Sequence, residues 1–84
     1  MPKAVAYVLI KAEVGAEKEV LKLLEAVKEV KEAYIVFGVY DIVAKVVVED
    51  VEELKDIVTR KIRRLQKVRS THTMIAMEGF ERNG

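Results

Sequence analysis

The chain contains no cysteine, a single histidine and a single proline, which stands at position 2. Lack of cysteine excludes a disulfide framework, a thiolate zinc site and a cysteine nucleophile, and it fits a cytoplasmic protein. One histidine, His72, with no His or Asp/Glu cluster at helical metal spacing, leaves no ligand set for zinc. There is no G-x-G-x-x-G and no phosphate loop. Charge of one sign is not in excess either: the net charge is +1, so no overall field draws the chain to nucleic acid or to a membrane. Long hydrophobic runs are missing as well. The N-terminus is apolar for only about seven residues before Lys11, short for a signal-peptide core and far below the ~20 residues that cross a bilayer.

What is present is one small domain, expected to span residues 1–84. It is 51% hydrophobic and 35% charged. A chain of this size buries roughly 60–65% of its unfolded surface, and association is a common source of added stability. Lysine, arginine and glutamate dominate the charged set and thermolabile residues are sparse, a composition like that of a thermophile.

Periodicity divides the chain into six elements. Ala4–Ala12 reads as a strand with Ala4, Ala6, Val8 and Ile10 on one face and Val5, Tyr7 and Leu9 on the other. After a break at Val14-Gly15-Ala16, a helix is predicted from Glu17 to about Val30. Val20, Leu23, Leu24 and Val27 form its buried stripe, and a wet face runs from Glu17 to Glu29. Lys31–Phe37 and Ile42–Val48 read as strands joined by Gly38-Val39-Tyr40-Asp41, an antiparallel hairpin. The glycine is expected to supply a backbone angle that other residues avoid. Asp50 with Glu53 resembles a capping box for a second helix reaching about Leu65, with Leu54, Ile57, Val58, Ile62 and Leu65 inward. A last strand covers about Lys67 to Met77, and Gly79–Gly84 reads as a frayed tail.

The order β-α-β-β-α-β predicts an α+β, ferredoxin-like fold. A four-stranded antiparallel sheet carries both helices on one face, with the first and third strands in the centre. Those two strands are apolar on both faces. The uncovered face would expose several hundred Å2 of apolar surface, which monomers rarely tolerate, so a face-to-face dimer is expected.

Three groups of residues are candidates for chemistry. Ser70 and His72 share a strand face, but no carboxylate is placed behind the imidazole for a triad; the ordinary reading of His72 is a sheet-face residue. Arg60, Lys61, Arg63, Arg64, Lys67 and Arg69 make a basic run. It reads either as a nucleic-acid patch or as a solvated face complementing the helix C-terminal dipole, and no aromatic residue is interleaved for base stacking. Thr71 and Thr73, with Ile75 and Met77 on the same strand face, can offer paired hydroxyls to one small polar ligand, or are threonines that simply suit a strand.

The segment Val30-Lys31-Glu32-Ala33-Tyr34-Ile35-Val36-Phe37-Gly38-Val39-Tyr40-Asp41-Ile42-Val43 resembles the central motif of the leucine-responsive/asparagine regulator family (Lrp/AsnC), V-x-x-A-x-x-x-x-G-x-Y-D followed by an apolar strand. Val68-Arg69-Ser70-Thr71-His72-Thr73-Met74-Ile75 is similar to the family's later V-x-x-T-x-T-x-I segment. The resemblance covers roughly Ala4 to Met77 and is to the effector-binding (RAM) domain. One departure is local: family members usually carry glycine where Lys67 precedes Val68. Another is the absence of the family's N-terminal helix-turn-helix. Met1 followed by a complete strand fits a natural stand-alone module, with a cloned fragment as the alternative.

The resemblance implies a non-enzymatic module, without a cofactor, that binds a free amino acid or related small metabolite. It implies dimers through the sheets, associating into rings, octamers or decamers, with sites between dimers. Gly38, Val39, Tyr40 and Asp41 would line the site from the hairpin, and Thr71 and Thr73 from the last strand. Full-length regulators of the family are implied as co-assembly partners, with no direct DNA binding by this chain. Two readings from other classes stand beside it: a dimeric ferredoxin-like enzyme of the small monooxygenase type, and an RNA-binding module using the basic helix.

Overall fold

Strict alternation of apolar side chains in two strands determines which face of the sheet is buried. In the computed structural model, which describes residues 3–83, β1 (Ala4–Ala12) buries Ala6, Val8, Ile10 and Ala12. The strand Ile42–Val48 buries Ile42, Ala44, Val46 and Val48. Their register pairs Ala6 with Val46, Val8 with Ala44 and Ile10 with Ile42, so both sets point the same way. With β2 (Val30–Ile35) and β3 (Ile42–Val48) as the hairpin and β4 (Val68–Ile75) last, the antiparallel sheet has the order β2-β3-β1-β4. The two-sided strands are central, as their composition predicts, and the fold is the expected ferredoxin-like one. Positions 1, 2 and 84 of the expected domain lie outside the described residues.

Helices α1 (Glu17–Glu25) and α2 (Val51–Ile57) cover that one face. Val20, Leu24 and Val27 from the α1 segment, and Leu54, Ile57, Val58 and Ile62 from the α2 segment, join the strand residues in a single core. Leu21 and Leu65 pack against it. Each fully buried large side chain, such as Ile10, Leu24, Ile42 or Ile62, contributes about 1.5–3 kcal/mol relative to exposure.

Several boundaries differ from expectation. Helix α1 ends at Glu25, not near Val30, because the sheet claims the backbone beyond it. The Val47 amide donates to Glu29 O at 3.0 Å, and Val30 pairs with Val46. Glu29, expected on the wet face, is instead buried, and Lys61 Nζ donates to its carboxylate at 3.2 Å. Lys61 reaches it from a π turn, Val58–Ile62, that continues α2 and is closed by the Arg63 amide donating to Val58 O at 2.8 Å. The second helix is therefore not one regular α-helix to Leu65. Its start is as predicted: Asp50 Oδ1 accepts from the Glu53 amide, while Glu53 Oε1 reaches back to the Glu49 amide, each at 2.8 Å. β2 stops at Ile35 and leaves Phe37 fully exposed. β4 is trimmed to Val68–Ile75.

Candidate functional site

The hairpin tip is built by Asp41 more than by its glycine. The Val36 amide donates to Asp41 O at 2.9 Å and closes the loop. The Asp41 amide donates to Ile10 O at 2.9 Å, and Asp41 Oδ2 accepts from the Ala12 amide at 2.8 Å. A carboxylate thus extends the β3–β1 ladder past the point where main-chain pairing stops at Ile10 and Ile42. Gly38 does not adopt a left-handed angle: among the described residues, positive φ occurs at Gly15, at 82°, and Lys67, at 74°. The expectation for Gly38 is corrected accordingly. A six-residue loop, 36–41, reverses more gently than a tight four-residue turn and needs no such angle.

The tip curls onto the sheet face away from the helices. Lys11 Nζ donates to Val39 O at 2.8 Å. The Tyr40 ring stacks against His72, with centroids 6.3 Å apart and planes at 29°. The pairing of Leu9 with His72 puts that imidazole on the open face. Tyr40 and Asp41 are half-buried rather than freely exposed, whereas Gly38 and Val39 are exposed. Lys11 is not among the candidates read from the sequence. Its signal there is a lone charge in an otherwise apolar strand.

On its other flank the tip faces the start of α1 across a cleft of about 470 Å3 lined by Glu17, Ile35, Val36, Phe37, Gly38 and Asp41. Two carboxylates and an apolar wall meet there. Oxygen lone pairs of carboxylates accept from an ammonium group, and the apolar side chains can pack against an aliphatic or aromatic one.

Thr71 and Thr73 fall on the helix side of the sheet, opposite Ile10 and Val8. Thr71 is half-buried in a groove of about 310 Å3 with Arg63, Val68, Arg69 and Ser70. Thr73 is exposed beside α2, in a separate groove of about 250 Å3 with Val51, Leu54, Lys55, Val58, Thr59 and Ile75. Strand β1 lies between the hairpin strand β3 and β4. At ~4.8 Å per strand spacing, backbone in β3 and β4 is about 10 Å apart. Tyr40 reaches β4 only at His72 on the opposite face. The tip cleft shares no lining residue with either threonine groove, so the hairpin cleft and the threonines are not brought together within one subunit.

Ser70 and His72 share the open face, as read from the sequence, and His72 meets Tyr40 rather than a carboxylate. Among the described residues, no group of three or more His, Cys, Asp or Glu side chains could hold a metal ion. Between helices and sheet the core is apolar apart from Glu29. Among the described residues, no helix is long and apolar enough to cross a membrane.

The fold defines a small α+β domain of the ferredoxin-like type, whose distinctive feature is an acidic hairpin tip. The comparisons place it further. The family model of the Lrp/AsnC ligand binding domain matches residues 5–84, and the chain belongs to that family. It is similar to TTHA0845 from Thermus thermophilus, with 37% identity over 94% of this chain and 99% of that one and a TM-score of 0.86. It is similar to the hypothetical protein PHS023 from Pyrococcus horikoshii, with 39% identity over 90% and 92% of the two chains and a TM-score of 0.82. The leucine response regulatory protein LrpA of Mycobacterium tuberculosis is 29% identical over 94% of this chain, with a TM-score of 0.80, and this chain spans 53% of it. Comparison with curated protein sequences gives no significant match. These relatives are regulatory proteins where their names state a role, and the domain is an effector-binding one by family.

Proposed function

We propose that residues 1–84 act as one amino-acid or small-metabolite sensing and oligomerisation module, influencing transcription through ligand-dependent assembly and not through DNA contact of its own. The observation that carries this reading is the cleft at the hairpin tip, where Gly38 and Asp41 of the family motif face Glu17 and an apolar wall. Asp41 Oδ2 is committed to Ala12, while Oδ1 has no hydrogen bond among the described residues. Oδ1 and Glu17 are therefore the acceptors for an α-ammonium. The threonine hydroxyls suit an α-carboxylate, and because they line grooves separate from the tip cleft, a neighbouring subunit supplies them. Such a site exists only in the assembly, so ligand and assembly bias each other when affinity differs between states.

The assembly begins with the open sheet face. Val5, Leu9, Val43 and Val47 are only half-covered there, and Tyr7, Tyr34 and Met74 are exposed. A second copy is the simplest cover, giving a two-fold dimer. Dimers then join in a ring, an octamer or a decamer, and the same surfaces admit full-length regulators as co-assembly partners in the cytoplasm.

The test is a thermal-shift screen of the twenty amino acids, with sedimentation run in parallel. A hit that stabilises the parent and is lost in Asp41→Asn and in Thr71→Val is the expected result. A hit that stabilises both variants as well as the parent removes these residues from the site. Sedimentation as a monomer at micromolar concentration removes the dimer, and Leu9→Lys is expected to produce that monomer.

A further inference from the structure

The basic run at the end of the second helix separates into two classes once its partners are known. Arg60 Nε meets Asp56 at 2.9 Å, Lys61 meets Glu29 at 3.2 Å, and Lys67 turns to Glu13 at 3.9 Å. Arg63, Arg64 and Arg69 have no ion pair among the described residues. Two of these three, Arg63 and Arg69, line the same groove of about 310 Å3, together with Val68, Ser70 and Thr71.

Local geometry sets both arginines at the groove. Arg63 closes the π turn, its amide bonded to Val58 O, and π turns displace the residues that follow them from regular helical positions. Arg69 is the bulged residue of β4: Ala12 pairs with Val68 and Lys11 with Ser70, leaving Arg69 unmatched. Bulges re-aim a side chain out of the ladder. Thr71 then follows on the helix side of the strand and brings a hydroxyl. β4 is an edge strand, whose outward amides are further donors.

We propose that this groove is a binding site for the phosphate group of a small molecule. Two guanidinium forks and a hydroxyl, arriving from a helix end and from a bulged strand edge, suit a tetrahedral oxyanion more than a planar carboxylate. With roughly 30 Å3 per water molecule as a measure, the groove accommodates a phosphate with part of its ester. No aromatic side chain lines it, which argues against a stacked nucleic-acid base. The site goes beyond the amino-acid reading: it shares Thr71 with it but is carried by Arg63 and Arg69.

The test is titration of the full chain with sodium pyrophosphate, followed by amide chemical shifts at fixed ionic strength. Saturable shifts confined to Arg63 and to residues 68–71 are expected. Arg63→Ala and Arg69→Ala should each weaken binding about tenfold, while Arg60→Ala, paired outside the groove, should leave it unchanged. Shifts that do not saturate, or that spread equally over Arg60 and Arg64, overturn the site. Equal affinity for succinate assigns the groove to carboxylates and also overturns it. Tighter binding of an RNA oligonucleotide that Arg60→Ala and Arg63→Ala weaken alike makes the run a polyanion face and overturns it as well.

Discussion

Asp41 holds the hairpin tip to β1, and that structural share can be measured apart from any ligand. Its carboxylate accepts from the Ala12 amide at 2.8 Å in a part-buried setting. Ala12 itself is 4% exposed, so water cannot readily replace the lost acceptor. Asp41→Ala leaves that amide unpaired. A hydrogen bond to a charged group is worth ~1.5–3 kcal/mol, and partial exposure argues for the lower end, about 1.5 kcal/mol. In a domain of this size 1 kcal/mol moves Tm by roughly 4–8 °C, so Asp41→Ala should melt about 6–12 °C below the parent. Asp41→Asn keeps an sp2 oxygen for the amide and loses only the charge, so its loss should be roughly half as large.

The assay is thermal unfolding by circular dichroism without ligand. All variants are held at one protomer concentration, because association makes Tm concentration-dependent. Exchange of the Ala12 amide reports the same bond locally and should accelerate in Asp41→Ala. An Asp41→Ala protein that melts with the parent and keeps Ala12 protected would refute the reasoning. It also follows that Asp41→Ala is a poor probe of ligand binding and Asp41→Asn a better one, since the alanine variant alters the hairpin that frames the cleft.

Two further outcomes follow from single residues. Lys67 holds φ at 74°, a left-handed angle that costs a side-chain-bearing residue ~1–2 kcal/mol. Lys67→Gly removes that strain, loses an exposed ion pair to Glu13 at 3.9 Å and loosens the unfolded chain by ~0.4–1 kcal/mol. Lys67→Ala loses the pair and keeps the strain, so the glycine variant should be about 0.5–1 kcal/mol the more stable in urea unfolding; equal midpoints would contradict the backbone argument. For Glu29, burial raises the carboxyl pKa, but its backbone hydrogen bond, Lys61 and Lys28 together outweigh burial and hold it below the ordinary value. A folded pKa below the unfolded one gives stability that is full above the unfolded value and is lost as pH falls through the folded value. Between pH 7 and 3, Glu29→Gln should therefore lose less stability than the parent. Parallel pH profiles would show that the pair with Lys61, itself half in solvent, is screened to nothing.

The parts of this molecule that are legible in the sequence are those fixed by period. Alternation in Ala4–Ala12 and Ile42–Val48 predicts the central strands and both of their faces, and the stripe Leu54, Ile57, Val58, Ile62 and Leu65 predicts the second helix's buried side. A stripe does not reveal where the backbone leaves α geometry. Val58 and Ile62 are four apart, so they lie together in an α-helix and stay in the core across the π turn as well. Likewise Val27 keeps its helical spacing and its burial although α1 has already ended, because the sheet's demand for Glu29 O and Val30 is a tertiary one. Lys67 is the opposite case. The family's glycine at that position is a backbone instruction, and the chain obeys it with φ at 74° although the glycine is gone. Gly38 is conspicuous by composition and needs no special angle. What a glycine does there is leave the hairpin tip without a side chain beside Asp41, in a cleft where a Cβ would meet nothing within 4 Å of its own subunit. Packing within the subunit therefore does not demand a glycine at that position.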